Sequence, residues 1–328
     1  MIPKEKNSKT LVVDGDSPLF RCAKALQKDY IEINWNDFTL DLDNKTKFIG
    51  GKLKGKEVYG KLNEINDRHG ISLTIDDFDI TPKTVLIDAK NDAQRLEIGM
   101  RNMRKYIRDL KELPWVKNIK WCLSSKNNFR KDLNPDYKAQ RPEKPKLLIN
   151  LKNLFMKEFK SIITIKDMLE ADDLLGIFGA WSRNYYENPK DSPFVLTGYD
   201  KDLLQIGNNW FFNFDQRDQG IFWIDKFTGH KNLCTQILQG DTADNLKGLP
   251  KITSEIKARY GVATGGCAIG KAKSILSDCK SIDELYMAVE WCYKSYYGEN
   301  YRKPLTMMYK LVKLLEKEGE IKDFPFKL

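Results

Sequence analysis

The sequence predicts an α/β protein built on a mostly parallel sheet flanked by helices. Short apolar runs at residues 10–13, 119–123, 161–165 and 194–196 alternate with stretches of helical periodicity, as in strands joined by helical crossovers. Three acidic clusters, Asp14-Gly15-Asp16, Glu170-Ala171-Asp172-Asp173 and Asp200-Lys201-Asp202, fall just beyond such runs. In open α/β sheets that end of the strands is where ligands bind. The chain has 328 residues, 41% hydrophobic and 31% charged, enough for a large core domain with a smaller lobe.

The opening run, residues 10–13, reads as a buried strand leading through Asp14-Gly15-Asp16 into a helix near Pro18, with Ser17 as its cap. Residues from about 30 to 92 carry Gly50-Gly51, Gly55 and Gly60 among lysines and β-prone pieces such as 72–75, and read as an inserted strand-and-loop excursion. A helix is expected over 93–113, because Leu96, Met100, Met103, Ile107 and Leu110 recur at helical spacing. Residues 119–123 form a second strand. The stretch 126–146 holds seven Lys/Arg against three acids and is punctuated by Pro135, Pro142 and Pro145, so it reads as a long exposed connection. Residues 147–159 look helical, 161–165 like a third strand and 170–181 like a helix with Leu174, Leu175 and Phe178 inward. Residues 194–196 make a fourth strand and 201–206 start another helix. Residues 210–214 and 221–224 pair as a hairpin, and the remainder from Leu233 is mainly helical, most plainly over 307–318.

The composition excludes several classes. No stretch approaches the ~20 apolar residues of a membrane span, and Met1-Ile2-Pro3-Lys4-Glu5-Lys6 has no apolar core of the kind a secretory signal requires. Cys22, Cys122, Cys234, Cys267, Cys279 and Cys292 are scattered with no C-x-x-C pair, and histidine occurs only at His69 and His230. A zinc site and a histidine-based acid–base mechanism are therefore disfavoured, and the thiols read as reduced, in a cytosol-like compartment. The formal charge of +9 suits a polyanionic partner.

A basic protein has no folding reason to concentrate its acids. Like charges a few Å apart repel by about 4 kcal/mol per pair at an effective dielectric near 20. Any one cluster has a bland account as a helix-start acid or a turn residue. Paired acids at several successive strand ends do not. Mg²⁺ takes hard oxygen ligands and needs neither histidine nor cysteine. A pair of such ions about 3.5–4 Å apart activates water and stabilises the leaving oxygen in phosphodiester hydrolysis.

Taken in order, Val12-Val13-Asp14-Gly15-Asp16, Asn128-Phe129-Arg130-Lys131 with Pro135-Asp136-Tyr137-Lys138-Ala139-Gln140-Arg141, Leu169-Glu170-Ala171-Asp172-Asp173, Asp200-Lys201-Asp202 and Gln239-Gly240-Asp241-Thr242-Ala243-Asp244-Asn245 resemble the 5′ nuclease (flap endonuclease) superfamily. Within it the likeness is to the short phage 5′→3′ exonucleases. The resemblance implies a PIN-like core (residues 1–232, with an insertion at about 30–92 and an arch or clamp at about 126–146) and a mainly helical region (233–328) with a helix–three-turn–helix DNA-binding element. By motif, Asp14, Glu170, Asp172, Asp173, Asp200, Asp202, Asp241 and Asp244 would hold two Mg²⁺ ions, with Mn²⁺ able to substitute; Asp16 is adjacent. Lys138 and Arg141 would meet the scissile phosphate as catalytic residues. Phe129, Arg130, Lys131, Tyr137, Gly248, Gly266, Gly270 and Lys271 would contact nucleic acid, with K⁺ at the glycine-rich element.

The implied activity is metal-dependent cutting of DNA, and of RNA in RNA–DNA hybrids, at 5′ ends, flaps and single-strand/duplex junctions. The implied setting is phage replication or DNA degradation in the cytoplasm of an infected bacterium, by a monomer without membrane attachment. Two rivals stand beside it. The family usually carries an acid where this chain has Ser124-Ser125, which is the one support for a non-cleaving structure-specific DNA-binding protein. A PIN-type ribonuclease would cut single-stranded RNA and need no duplex-binding element.

Overall fold

The computed structural model describes residues 8–36 and 38–327; the opening stretch Met1–Lys6 lies outside them. The described chain forms two compact units, one of residues up to Leu19 with Arg104–Glu143 and Phe155–Leu328, the other of Phe20–Met103 and Lys144–Leu154. No helix among the described residues is long and apolar enough to cross a membrane.

The larger unit holds a six-stranded sheet in the order Ile221–Ile224, Asn209–Asn213, Phe194–Gly198, Lys9–Asp14, Val116–Cys122, Ile163–Thr164. Every pairing is parallel except that of the edge strand Ile221–Ile224 with Asn209–Asn213, so the predicted mostly parallel α/β architecture is what forms. Lys9–Asp14 runs between two parallel neighbours, which is why Leu11, Val12 and Val13 form a continuous apolar run with no exposed surface. The helix Ala171–Tyr185 buries Ala171, Leu174 and Leu175 against this sheet together with Val12, Leu196 and Phe211. Gly179 lets it approach closely, because a methyl group there would press on Ile206 and Leu196.

The C-terminal helices make a second core in the same unit. Leu233, Cys234, Ile237 and Leu238 of Lys226–Gln239 pack with Leu285, Val289 and Cys292 of Ile282–Tyr297 and with Leu305 and Met308 of Arg302–Val312. The smaller unit contains a three-stranded antiparallel sheet, Phe38–Leu42, Gln27–Trp35 and Asp79–Leu86, and the hairpin Gly51–Leu53 with Lys56–Val58. Its core gathers Ile33, Phe48, Leu62 and Phe78. Most of the segment read as an excursion is thus ordinary strand and helix around a small apolar centre.

Five local expectations are corrected. The opening helix starts at Asp16, and its early donors are met by Asp14 rather than by Ser17: Asp14 accepts from Asp16 N at 3.2 Å and from Ser17 Oγ at 2.8 Å. The third strand shortens to Ile163–Thr164, and residues 201–205 form a 3₁₀ turn. The basic stretch 126–146 is not simply an exposed connection. It contains the helix Phe129–Leu133, capped by Asn128, and Phe129, Arg130 and Tyr137 are buried. The helix expected over 307–318 ends at Val312. Beyond it Leu314 N donates to Gln205 Oε1 at 2.9 Å and Leu315 N to Asp173 Oδ1 at 3.2 Å, so side chains elsewhere draw the backbone out of the helix.

Two tests follow. A Cβ at Gly15 would collide with the buried Trp121 indole and lie 2.8 Å from the Cys122 carbonyl, so Gly15→Ala should lower stability by about 1–3 kcal/mol, read as a lower thermal midpoint. Secondly, burial pushes His230 down to about 4 from its ordinary 6.5, with further lowering from Lys313. The unfolded chain therefore takes up a proton below pH 6.5 that the folded one refuses, and stability attributable to this imidazole should fall from pH 6.5 to 4. The difference between the wild-type and His230→Gln stability curves isolates that contribution from the carboxylates.

Candidate active site

Four chain segments converge at one end of the parallel sheet. Asp14 is the last residue of the central strand and is 3% exposed. Glu170 caps the helix Ala171–Tyr185 and places Asp172 in its first turn. Asp200 follows the strand Phe194–Gly198 and accepts from Asp202 N at 2.9 Å, which turns the chain so that both acids lie together. Asp241 follows the helix Lys226–Gln239 through Gly240, whose φ of 77° turns the chain there, and its Oδ1 accepts from Ala243 N at 2.8 Å. Glu170, Asp172, Asp200, Asp202, Asp241 and Asp244 line one cavity of about 90 Å³, with Arg130, Tyr137, Lys138, Arg141, Lys201 and Gln236 on its walls.

Their mutual repulsion is large. Burial, then Asp16 and Asp200, pushes Asp14 up to about 7. Asp202 is also pushed to about 7 by burial and by Asp200 and Asp241. Asp172 is raised by burial and by Asp14, Asp200 and Glu170. Burial acts on Glu170 in the same direction, but Lys138 and then Arg130 outweigh it and hold that carboxylate below its ordinary range.

The basic residues answer this charge. Lys138 sits at φ 61°, an uncommon left-handed conformation for a lysine, with its amide donating to the Asp244 carbonyl at 2.9 Å. Its ammonium pairs with Glu170 and lies 3.6 Å from Asp244 Oδ2. Arg141 pairs with the other Asp244 oxygen, and the Tyr137 hydroxyl is shared between Glu170 at 2.9 Å and Asp244 at 3.0 Å. Lys131 is exposed.

Several expected roles do not survive this placement. Phe129 packs into the sheet-and-helix core and Tyr137 into the C-terminal helical core, so neither ring faces solvent for base stacking. Arg130 is 1% exposed and grips Asp173 through two hydrogen bonds of 2.6 and 2.7 Å. Asp173 is fully buried and is not among the residues that line the cavity, whereas Arg130 forms part of its wall. Gly248 is buried against the backbone of Gly240, which by itself requires a glycine. Gly266 and Gly270 are exposed, and a side chain at either would meet nothing within 4 Å, so internal packing does not explain them. Lys271 Nζ donates to the carbonyls of Thr264 at 2.8 Å and Gly266 at 2.9 Å.

Residues given no role in the site from the sequence also shape it. Ser124, where the resemblance expects an acid, accepts from Ala171 N at 2.9 Å through its hydroxyl and donates its own amide to Asp16 Oδ2 at 3.1 Å. It ties the acidic helix to the turn after the central strand. Lys201 was signalled by its place between two acids; Gln236, one turn before Gly240, had only helical register to mark it.

The chemistry of the donor set fits hard divalent cations. It consists of carboxylate oxygens and, at Asp202, a buried Oδ1 with no hydrogen-bond partner. In the present arrangement no three His, Cys, Asp or Glu among the described residues stand close enough to hold an ion. Lys138 and Arg141 occupy Glu170 and Asp244. Ligation would need those two cations to yield.

Known proteins place the chain. Residues 87–228 match the family model of the 5′-3′ exonuclease N-terminal, resolvase-like domain. A 5′-3′ exonuclease of Buchnera aphidicola subsp. Schizaphis graminum is 26% identical over 202 residues, 58% of this chain and 66% of that one. Its counterpart from Buchnera aphidicola subsp. Acyrthosiphon pisum is 27% identical over 184 residues, 52% of this chain and 59% of that one. This chain thus spans just under two thirds of the length of the first and about three fifths of the second. The T5 D15 protein co-crystallised with metal ions is 16% identical with a TM-score of 0.36, covering 66% of this chain and 91% of that one. Over residues 87–228 the chain is thus similar to the 5′-3′ exonuclease N-terminal domain, and over a little more than half its length to the two Buchnera exonucleases.

Proposed function

We propose that this protein is a divalent-metal-dependent 5′ nuclease that hydrolyses phosphodiesters of DNA, and of RNA paired to DNA, from 5′ ends or at single-strand/duplex junctions. The observation that carries the reading is the convergence of acids from three separate segments on one small cavity walled by Lys138 and Arg141, with the buried Asp14 close enough to raise Asp172. Asp14, Glu170, Asp172, Asp200, Asp202, Asp241 and Asp244 would hold two Mg²⁺ ions. When bound, such ions supply water activation and charge neutralisation for the hydrolysis.

The protein's own groups then have distinct tasks. Lys138 and Arg141, released from Glu170 and Asp244, turn to the phosphate that replaces those carboxylates as their counter-charge, and steady the charge that develops on it. Tyr137, buried beneath them, fixes where the segment meets the acids. The open backbone at Gly266, just before the helix Ile269–Ile275, and at Gly270 in its first turn is suited to close approach by a duplex phosphate, with K⁺ alongside. A phage-infected bacterial cytoplasm and action as a monomer complete the reading. The names of the Buchnera relatives support the 5′→3′ direction; whether the chain trims ends or cuts flaps follows from assay of both substrates.

Three outcomes test it. On a labelled 5′-flap substrate with Mg²⁺, Asp202→Asn should cut at least about a hundredfold more slowly than wild type; an unchanged rate removes Asp202 from the metal set, and no cutting by wild type leaves the non-cleaving DNA-binding reading. The same variant removes a repelling charge, so in chelator its thermal midpoint should rise by about 2–4 °C for each kcal/mol relieved, whereas Mg²⁺ should stabilise wild type and not the variant. Replacing Lys138 and Arg141 together by Ala should slow cleavage and, if both meet phosphates, lower the slope of log affinity against log salt by about two.

A further inference from the structure

Arg130 lies in the basic segment but turns away from solvent. Its Nε donates to the Leu311 carbonyl at 2.8 Å and its Nη2 to that of Lys313 at 3.1 Å. Its two terminal nitrogens grip both oxygens of Asp173, and Nη1 also reaches Glu170 Oε2 at 3.4 Å. Asp173 in turn accepts from Leu315 N at 3.2 Å and Glu170 N at 3.3 Å. One guanidinium thus joins the short helix Phe129–Leu133, the first turn of Ala171–Tyr185 and the extended segment after Val312.

We propose that Arg130 and Asp173 are a positioning pair, acting on the cavity through Glu170 rather than touching nucleic acid or metal themselves. This rests on the metal-dependent reading of that cavity. Glu170 is held from two sides, its amide by Asp173 and its carboxylate by Arg130, so the pair sets where its oxygens point and where Asp172 follows in the same turn. A planar fork is needed because the bonds to Asp173 are parallel and fix an angle as well as a distance; a lysine ammonium cannot reproduce them.

Arg130→Met alone leaves Asp173 buried without its partner and is expected to unfold the chain. The informative protein combines Arg130→Met with Asp173→Leu, apolar side chains of similar size, with Arg130→Lys as the conservative companion. The double variant should keep a cooperative melt and bind 5′-flap DNA in EDTA as wild type does. Its affinity for Mn²⁺, read without DNA from the electron paramagnetic resonance of the free ion, should fall about 10–100-fold, and Arg130→Lys should recover only part of it. Weakened DNA binding with unaltered Mn²⁺ affinity would make Arg130 a phosphate contact and overturn the proposal. Unaltered binding of both would leave the pair a purely structural tie and overturn it as well. If wild type itself binds no Mn²⁺, the metal-dependent reading falls and the pair's proposed role with it; if wild type binds and the double variant binds equally, only the pair's role is lost.

Discussion

Repulsion among carboxylates at one end of the sheet is the constraint around which the larger unit is arranged. The parallel strands bring Asp14 and Asp200 to the same edge, and the helix that follows Glu170 adds Asp172. Burial of these groups multiplies the cost of their proximity, which is why Asp14 and Asp202 are driven up to about 7. A fold selected for stability alone would not keep them there. The expense becomes intelligible if a cation of higher charge density than lysine is the intended occupant.

In its place the protein supplies cations of its own. Lys138 and Arg141 rest on Glu170 and Asp244, and Tyr137 bridges the same two acids from below. Under the proposed function these are the groups that a metal and a phosphate would jointly relieve, so substrate and metal each make room for the other. Arg130 belongs to a different layer. Buried and bound to backbone carbonyls as well as to Asp173, it cannot exchange partners without opening the core.

How far the site was legible depended on which force placed each residue. Asp14, Glu170, Asp172, Asp200 and Asp202 were marked by their place beyond apolar runs, and Asp241 and Asp244 by the motif; all but Asp14 line one cavity. Asp173 has the same local signature as Asp172 but faces a different way, because residues one apart on a helix point about 100° apart. Phe129, Arg130 and Tyr137 looked like members of a solvated basic loop; their burial follows from contacts with Leu169, Asp173 and the C-terminal helices, far off in sequence. The break after Val312 has the same origin, since its periodicity continues but Gln205 and Asp173 claim the backbone amides.

By itself the sequence determined the class of fold, the order of the sheet-forming runs, the helix bearing Leu96 to Leu110 and the association of acids with strand ends. Those are properties of neighbouring residues, dictated by periodicity, propensity and turn chemistry. Only the tertiary structure decided which acids face the cavity, which cations sit on them, and that Ser124 links two acidic turns where a carboxylate was expected. Such choices turn on the direction of single side chains and on partners from about thirty to more than a hundred residues away, and no local pattern encodes either.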